Sequence, residues 1–167
     1  LQIKKASLIL HELDVTQLNK LSIMIKPSNL KSILNNKIKK GKLISEIEIF
    51  LSEEGIIENY IAKGSVKDLK IEISKDLNFK NSNLKFFADK KDILIKNIFG
   101  EIENIKISDG DIKFNFDKGI KINSNFDSEI KLNNKFSNLL DRYGFIKNIQ
   151  NFDATLNNNV FIEFEYL

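Results

Sequence analysis

The chain holds one histidine, His11, no cysteine, and 23 acidic side chains among 167 residues. A lone imidazole has no second imidazole or thiolate with which to hold a metal, and it acts as a general base only beside a positioned nucleophile. His11 therefore reads as an ordinary strand or loop residue. Ser108-Asp109-Gly110-Asp111 sets two carboxylates around a glycine, as a calcium loop would. An EF-hand loop needs several further spaced ligands and a terminal Glu, and here Ile112 and Phe114 interrupt at once. The same four residues suit a hairpin turn, with Ile105 and Ile107 on one arm and Ile112, Phe114 and Phe116 on the other. The stretch from Lys39 to Ser45 has a faint look of a phosphate loop, but a Walker motif needs Gly at position 36 and Ser or Thr at position 43. The chain has Asn36 and Leu43 there. Lys37, Lys39 and Lys40 form a small basic cluster without interleaved aromatics for base stacking. Glu46 with Glu48, and Glu163 with Glu165, alternate with apolar residues and mark the wet face of a strand, not an acid–base dyad. No residue set reads as catalytic, and none calls for a metal or a cofactor.

The elements carrying these residues are mostly strands. Two are expected at roughly 2–11 and 20–26. Pro27-Ser28 then opens a helix over 28–40, with Ser28 as N-cap, Leu30, Ile33, Leu34 and Ile38 at helical spacing, and Gly41 as its stop. From residue 41 to 133 the period is two. Ser52 to Gly55 is a turn, Gly64 a bulge or kink, and the parity shifts near Ile98 and Gly100. A second helix is expected at 134–143, where Phe136, Leu139, Leu140 and Tyr143 recur at i, i+3, i+4, i+7 before Gly144. Two terminal strands fill 144–167; on the last, Val160, Ile162 and Phe164 face one way and Phe161 the other. Strand centres about ten residues apart, with no helices between them, predict about nine strands in an antiparallel meander. The expected class is mainly β, with two short amphipathic helices.

The composition narrows the partners. Net charge is +3, from 26 basic and 23 acidic residues, which gives little long-range attraction for nucleic acid. The absence of cysteine excludes disulfides and thiolate metal sites. No apolar run reaches the length of a membrane-spanning helix. The start at Leu1, with no secretory signal pattern, suggests a piece of a larger protein.

What remains is collective. Ile93, Ile95, Ile105, Ile107, Ile112, Phe114, Phe116, Ile120 and Ile122 share one face if the turns keep their register. Monomers seldom leave more than a few hundred Å² of contiguous apolar surface exposed, so something must cover such a face. Three arrangements provide a cover: a closed β-sandwich used for structure or adhesion, a section of an outer-membrane barrel, or a curved sheet holding acyl chains. A barrel face carries Tyr and Trp girdles, whereas this chain has no Trp and three Tyr.

The run from about Gly41 onward, with Gly64, Val66 and Asp68 ending one strand and Asn97, Ile98 and Gly100 in another, resembles the AsmA-like family of bacterial envelope proteins. The resemblance is one of texture over about three-quarters of the chain. It implies a strongly curved sheet forming an open hydrophobic groove, phospholipid acyl chains as the cargo, and neighbouring segments of the same long protein as partners. It also implies a periplasmic location, in a protein anchored in the inner membrane, and no enzymatic activity. The nine residues above would line the groove.

Overall fold

The computed structural model describes residues 3–17, 36–75, 77–103, 105–117, 119–131 and 153–165. They form eight strands: β1 (Lys5–Asp14), β2 (Ile38–Leu51), β3 (Ile57–Ser74), β4 (Leu77–Asp89), β5 (Asp92–Ile102), β6 (Ile105–Asn115), β7 (Gly119–Lys131) and β8 (Asp153–Glu165). All eight lie in one sheet, in the order of the chain, each antiparallel to the next. The sheet is an open meander whose edges are β1 and β8. Alternating Ile, Leu and Phe against Lys, Asn and Glu gives each strand one apolar and one polar face.

Several connections are short and carry suitable turn chemistry. Ser52 Oγ accepts from the backbone N–H of Glu54 and of Ile56, both at 3.2 Å, and Gly55 adopts φ +78°, so the expected 52–55 turn is present. Between β4 and β5, Asp89 Oδ1 accepts from the N–H of Lys91 at 2.8 Å and of Asp92 at 2.9 Å.

The strands are longer than expected, 10 to 18 residues, and fewer. Residues 108–111 are not a hairpin turn. They lie inside β6, and the chain instead reverses just before it, where Ile102 pairs directly with Ile105. The period-two stretches 57–66 and 69–73 lie in one strand, as do 77–79 and 84–86, and 120–122 and 130. The terminal pair of strands is also one strand, β8. Gly64 is no bulge: it pairs in regular register with Ser45 on one side and Phe86 on the other. It is glycine because a Cβ there would collide with the backbone oxygen of Ile44 and sit 2.9 Å from the Phe86 ring.

The helix over 28–40 is corrected at its end. Ile38 pairs with Ile71 and Lys40 with Lys70, so strand pairing with β3 overrides the helical spacing at these positions. Residues 28–35, the expected strand at 20–26 and the expected helix at 134–143 lie outside the described residues. Among the described residues, helix is confined to 15–17 and Asn36. The described residues thus give no support for two short helices, only for one brief helical turn. Asp14 opens the brief turn at 15–17, its Oδ1 accepting from Thr16 N–H at 2.9 Å and Thr16 Oγ1 at 2.7 Å.

A row of β-bulges crosses the sheet, on β1 and on β3 to β6. Register shifts occur on β1 between Leu10 and Leu13, on β3 between Val66 and Leu69, on β4 between Lys80 and Asn83, on β5 between Ile95 and Ile98, and on β6 between Ser108 and Asp111. Each site holds a left-handed residue: Glu12 (φ +39°), Asp68 (+51°), Asn81 (+52°), Asn97 (+53°) and Asp109 (+50°). Asn and Asp tolerate this conformation better than other side chains. An extra residue reverses the inward–outward alternation. The sequence reverses its own alternation at the same places, so apolar residues stay on one face throughout.

Candidate functional site

The pairing register draws two apolar rows across the whole sheet. The first runs Leu8, Ile47, Ala62, Ala88, Ile93, Phe114, Ile122 and Ile162, one residue per strand. The second runs Leu10, Ser45, Gly64, Phe86, Ile95, Ile112, Ser124 and Val160. Beyond the bulges a third row runs from β2 to β8 through Ile38, Ile71, Phe79, Ile102, Ile105, Ile130 and Ala154. None contains a charged residue.

The residues expected to line a groove fall on this face. Ile93, Ile95, Ile105, Ile112, Phe114 and Ile122 belong to these rows, Ile107 pairs with Gly100 and Ser128, and Ile120 pairs with Phe164. Phe116 follows the end of β6 and stacks on Phe114, with ring centroids 6.4 Å apart and planes within 5°. Ile95, Ile107 and Ile112 border a cavity of about 270 Å³ on this face. It is also lined by Ile71, Ile73, Phe79, Leu84, Ile98, Ile102, Gly110, Ser124 and Phe126, none of which the sequence reading placed at the site. Their signal was present as period-two apolar residues in β3, β4, β5 and β7, but the bulges hid which of them share a face.

Several polar groups on this face are spent internally. Ser82, fully buried, donates through Oγ to Leu69 O at 2.9 Å. Ser45 Oγ donates to Lys63 O at 3.1 Å. Asn158 Nδ2 donates to Ser128 Oγ at 2.9 Å and to Phe126 O at 3.1 Å. Such groups stay satisfied without a polar ligand.

Among the described residues only Val15, Leu43, Leu69 and Ile98 are buried hydrophobics; Leu8 and Phe164, on the edge strands, are 50% and 57% exposed, and Ile93, Ile95, Ile112 and Phe114 between them are half-buried. Eight strands of about 13 residues make a face of ~1,600 Å², where a monomer usually leaves only a few hundred Å² of apolar surface open.

The opposite face carries a lattice of ion pairs, with Ile9, Ile44, Phe87, Phe99 and Phe161 exposed among them. Lys5 meets Glu48 at 2.6 Å, Lys63 meets Glu46 at 2.9 Å and Lys121 meets Glu163 at 2.6 Å, and Lys42 bonds Glu12. The hydrogen bond and charge of Lys42 lower the Glu12 pKa and Glu12 raises that of Lys42; Glu46 raises that of Lys63 in the same way. These groups are exposed, and such pairs add little each. Glu46, Glu48 and Glu163 thus sit on the wet face as strand-surface residues.

The two carboxylates once weighed as a calcium loop have other tasks. Asp109 occupies the β6 bulge, and Asp111 Oδ1 accepts from the N–H of Asn97 at 3.3 Å while Oδ2 meets Lys96 at 3.6 Å. Asn83 does the same for the β3 bulge, accepting from Asp68 N–H at 3.2 Å. Among the described residues no group of three or more His, Asp or Glu side chains is placed to hold a metal, and His11 stands exposed on β1. No helix among them is long and apolar enough to cross a membrane. No protein-family model, curated protein or solved structure matches the chain.

Proposed function

We propose that this chain is a non-enzymatic segment of a hydrophobic β-groove that carries phospholipid between bacterial envelope membranes. The observation that carries this reading is the broad apolar face, over which no second layer of strands lies among the described residues, and on which Ser45, Ser82 and Asn158 are bonded within the sheet. Acyl chains gain ~0.8 kcal/mol for each methylene taken out of water, and rows without a charged residue let them slide without specific bonds. Lys, Asn and Glu keep the other face wet.

The groove requires the sheet to be strongly curved. Supporting this, Ile71 of β3 and Phe126 of β7 border one cavity, although four strand spacings on a flat sheet would separate them by ~19 Å. Bulges bend and twist the strands that carry them, and here they lie in one band across the sheet. A closed sandwich would need a second sheet over the apolar face, and the described strands all belong to one. The resemblance to the AsmA-like family supports the same reading and extends it to a periplasmic location, an inner-membrane anchor elsewhere in a longer protein, and neighbouring segments of that protein as partners.

The test is native mass spectrometry of the purified protein, with lipid extraction of the same sample. Bound phospholipid is expected. Ile107→Asp, which sets a carboxylate on the apolar face, should abolish lipid retention and leave the β circular dichroism unchanged. A lipid-free parent whose Ile107→Asp variant unfolds would point instead to a closed core and end this proposal.

A further inference from the structure

We propose that the two free edges of the sheet are complementary, and that copies of this chain join head to tail, β8 of one against β1 of the next. Among the described residues no strand lies outside either edge. β8 pairs with β7 over 13 consecutive residues without a bulge, and it has no Pro and no Lys or Arg. Edge strands in isolated proteins are usually shortened, bulged or charged to prevent pairing; β8 is long and regular, and its charged residues, Asp153, Glu163 and Glu165, are all acidic.

The backbone groups of the two edges are in phase. The strand number is even, so β8 runs antiparallel to β1 and an added copy continues the meander. Leu51 N–H donates to Lys4 O at 3.0 Å, so the even residues of β1 ahead of its bulge aim their backbone at β2, and Lys5, Ser7 and Ile9 aim theirs outward. Phe116 N–H donates to Lys91 O at 2.9 Å. Carried across β6 and β7 by the pairing register, this alternation aims Asn159, Phe161 and Glu163 outward. Odd residues thus meet odd residues, and apolar faces meet apolar faces.

One register satisfies the side chains as well. With Glu163 opposite the partner's Lys5, the wet face reads Lys121, Glu163, Lys5, Glu48 across the junction, with alternating sign at each step. The two flanking pairs already exist, at 2.6 Å each. On the apolar face Ile162 meets the partner's Ala6 and Val160 meets the partner's Leu8. The β1 bulge then falls opposite position 157, and Leu156 meets the partner's Leu13. Position 158, the partner of Phe126, is where the bulge band reaches β8, so the band passes through the junction unbroken. This interface is heterologous, and it yields open filaments or closed rings according to its rotation.

Because the chain has no cysteine, a single engineered pair reports the register. Ala6→Cys with Ile162→Cys places two thiols at a non-hydrogen-bonded pair, within disulfide reach. Mild oxidation should give a ladder of linked copies, or one closed ring, on non-reducing gels. Leu8→Cys with Ile162→Cys, offset by two residues, should give none. Ser7→Pro and, separately, Asn159→Pro remove outward-facing N–H groups that the monomer does not use. Each should abolish the rise of sedimentation coefficient with concentration and leave the circular dichroism unchanged. A monomer with an internal disulfide, a ladder from the offset pair alone, or unchanged sedimentation in a folded Pro variant would overturn the proposal. Lipid retention is read separately, so either proposal can fail alone.

Discussion

Inserting one alanine between Ile95 and Lys96 should turn half of β5 inside out. Asn97 is the left-handed residue of the β5 bulge, with Ile93 and Ile95 on one side of it and Ile98, Gly100 and Ile102 on the other. The bulge is the one extra residue that lets both groups share a face. With the buried Ile98 half and the bulge held in place, a further residue rotates the other half by one position and sends Ile93 and Ile95 to the wet face. Both are half-buried, so their transfer costs roughly 2 kcal/mol, half the value for full burial. Leu94 crosses the other way, but it is already half-buried and returns little. The net loss is about 2 kcal/mol, against a usual total stability of roughly 5–15 kcal/mol. With a urea dependence of roughly 1–3 kcal/mol per molar, the unfolding midpoint should fall by about 0.7–2 M. Deleting Asn97 instead leaves Ile95 and Ile98 two residues apart, in regular alternation on the same face, and should lower the midpoint less. An insertion variant with the parent's midpoint would refute the reasoning.

Gly100→Ala should lower stability by about 1–3 kcal/mol, the usual cost of overpacking, because its Cβ would lie 2.5 Å from the Phe79 ring and 2.7 Å from Ser82 Cβ; urea unfolding measures it, and a variant as stable as the parent would show the site to be roomier than described. The Asp89 carboxylate is held below its usual pKa of 3.8 by hydrogen bonds from the N–H groups of Asp92 and Lys91. Its contribution is complete above that value and is lost as pH falls through the lower folded-state pKa, so Asp89→Ala should flatten the acid limb of a stability–pH profile below about pH 4; an identical acid limb in the two proteins would exclude the role. Asn81→Val should cost about 1–2 kcal/mol, since a β-branched residue resists φ +52°, and thermal melting should show Asn81→Gly to be harmless by comparison.

The meander, the alternation and the apolar face were legible in the sequence because a period of two needs no tertiary information. The parity shift near Ile98 and Gly100 was legible too, and it marks a true bulge. The segmentation was not. Asp109 and Gly110 carry the residue types of a tight turn, and the left-handed backbone that makes Asp and Asn good turn residues also suits a bulge in mid-strand. Local chemistry is the same in the two cases. Only the neighbouring strand decides between them, through contacts such as Asp111 accepting from Asn97. At Ile38 helical spacing lost for the same reason: its pairing with Ile71 is a long-range fact. The candidate site shared this limit. Its isoleucines were readable as apolar, but the set that meets at the cavity depends on five bulges acting together.

Extensive contacts in this sheet run only between strands consecutive in the chain. Energetically such a molecule approaches a one-dimensional array, in which each hairpin is stabilised by its own pairing and by its two neighbours. Folding can then begin at any of the closely connected pairs from β2 to β7 and spread outward like a zipper, with β1 and β8 joining across the longer connections at 15–37 and 132–152. Hydrogen-exchange protection should be graded, deepest at β4 and β5 and shallowest at β1 and β8, in place of one global unfolding event. The architecture also grows easily: inserting two strands that carry the same bulge and the same parity would lengthen the sheet and leave every existing pair where it is.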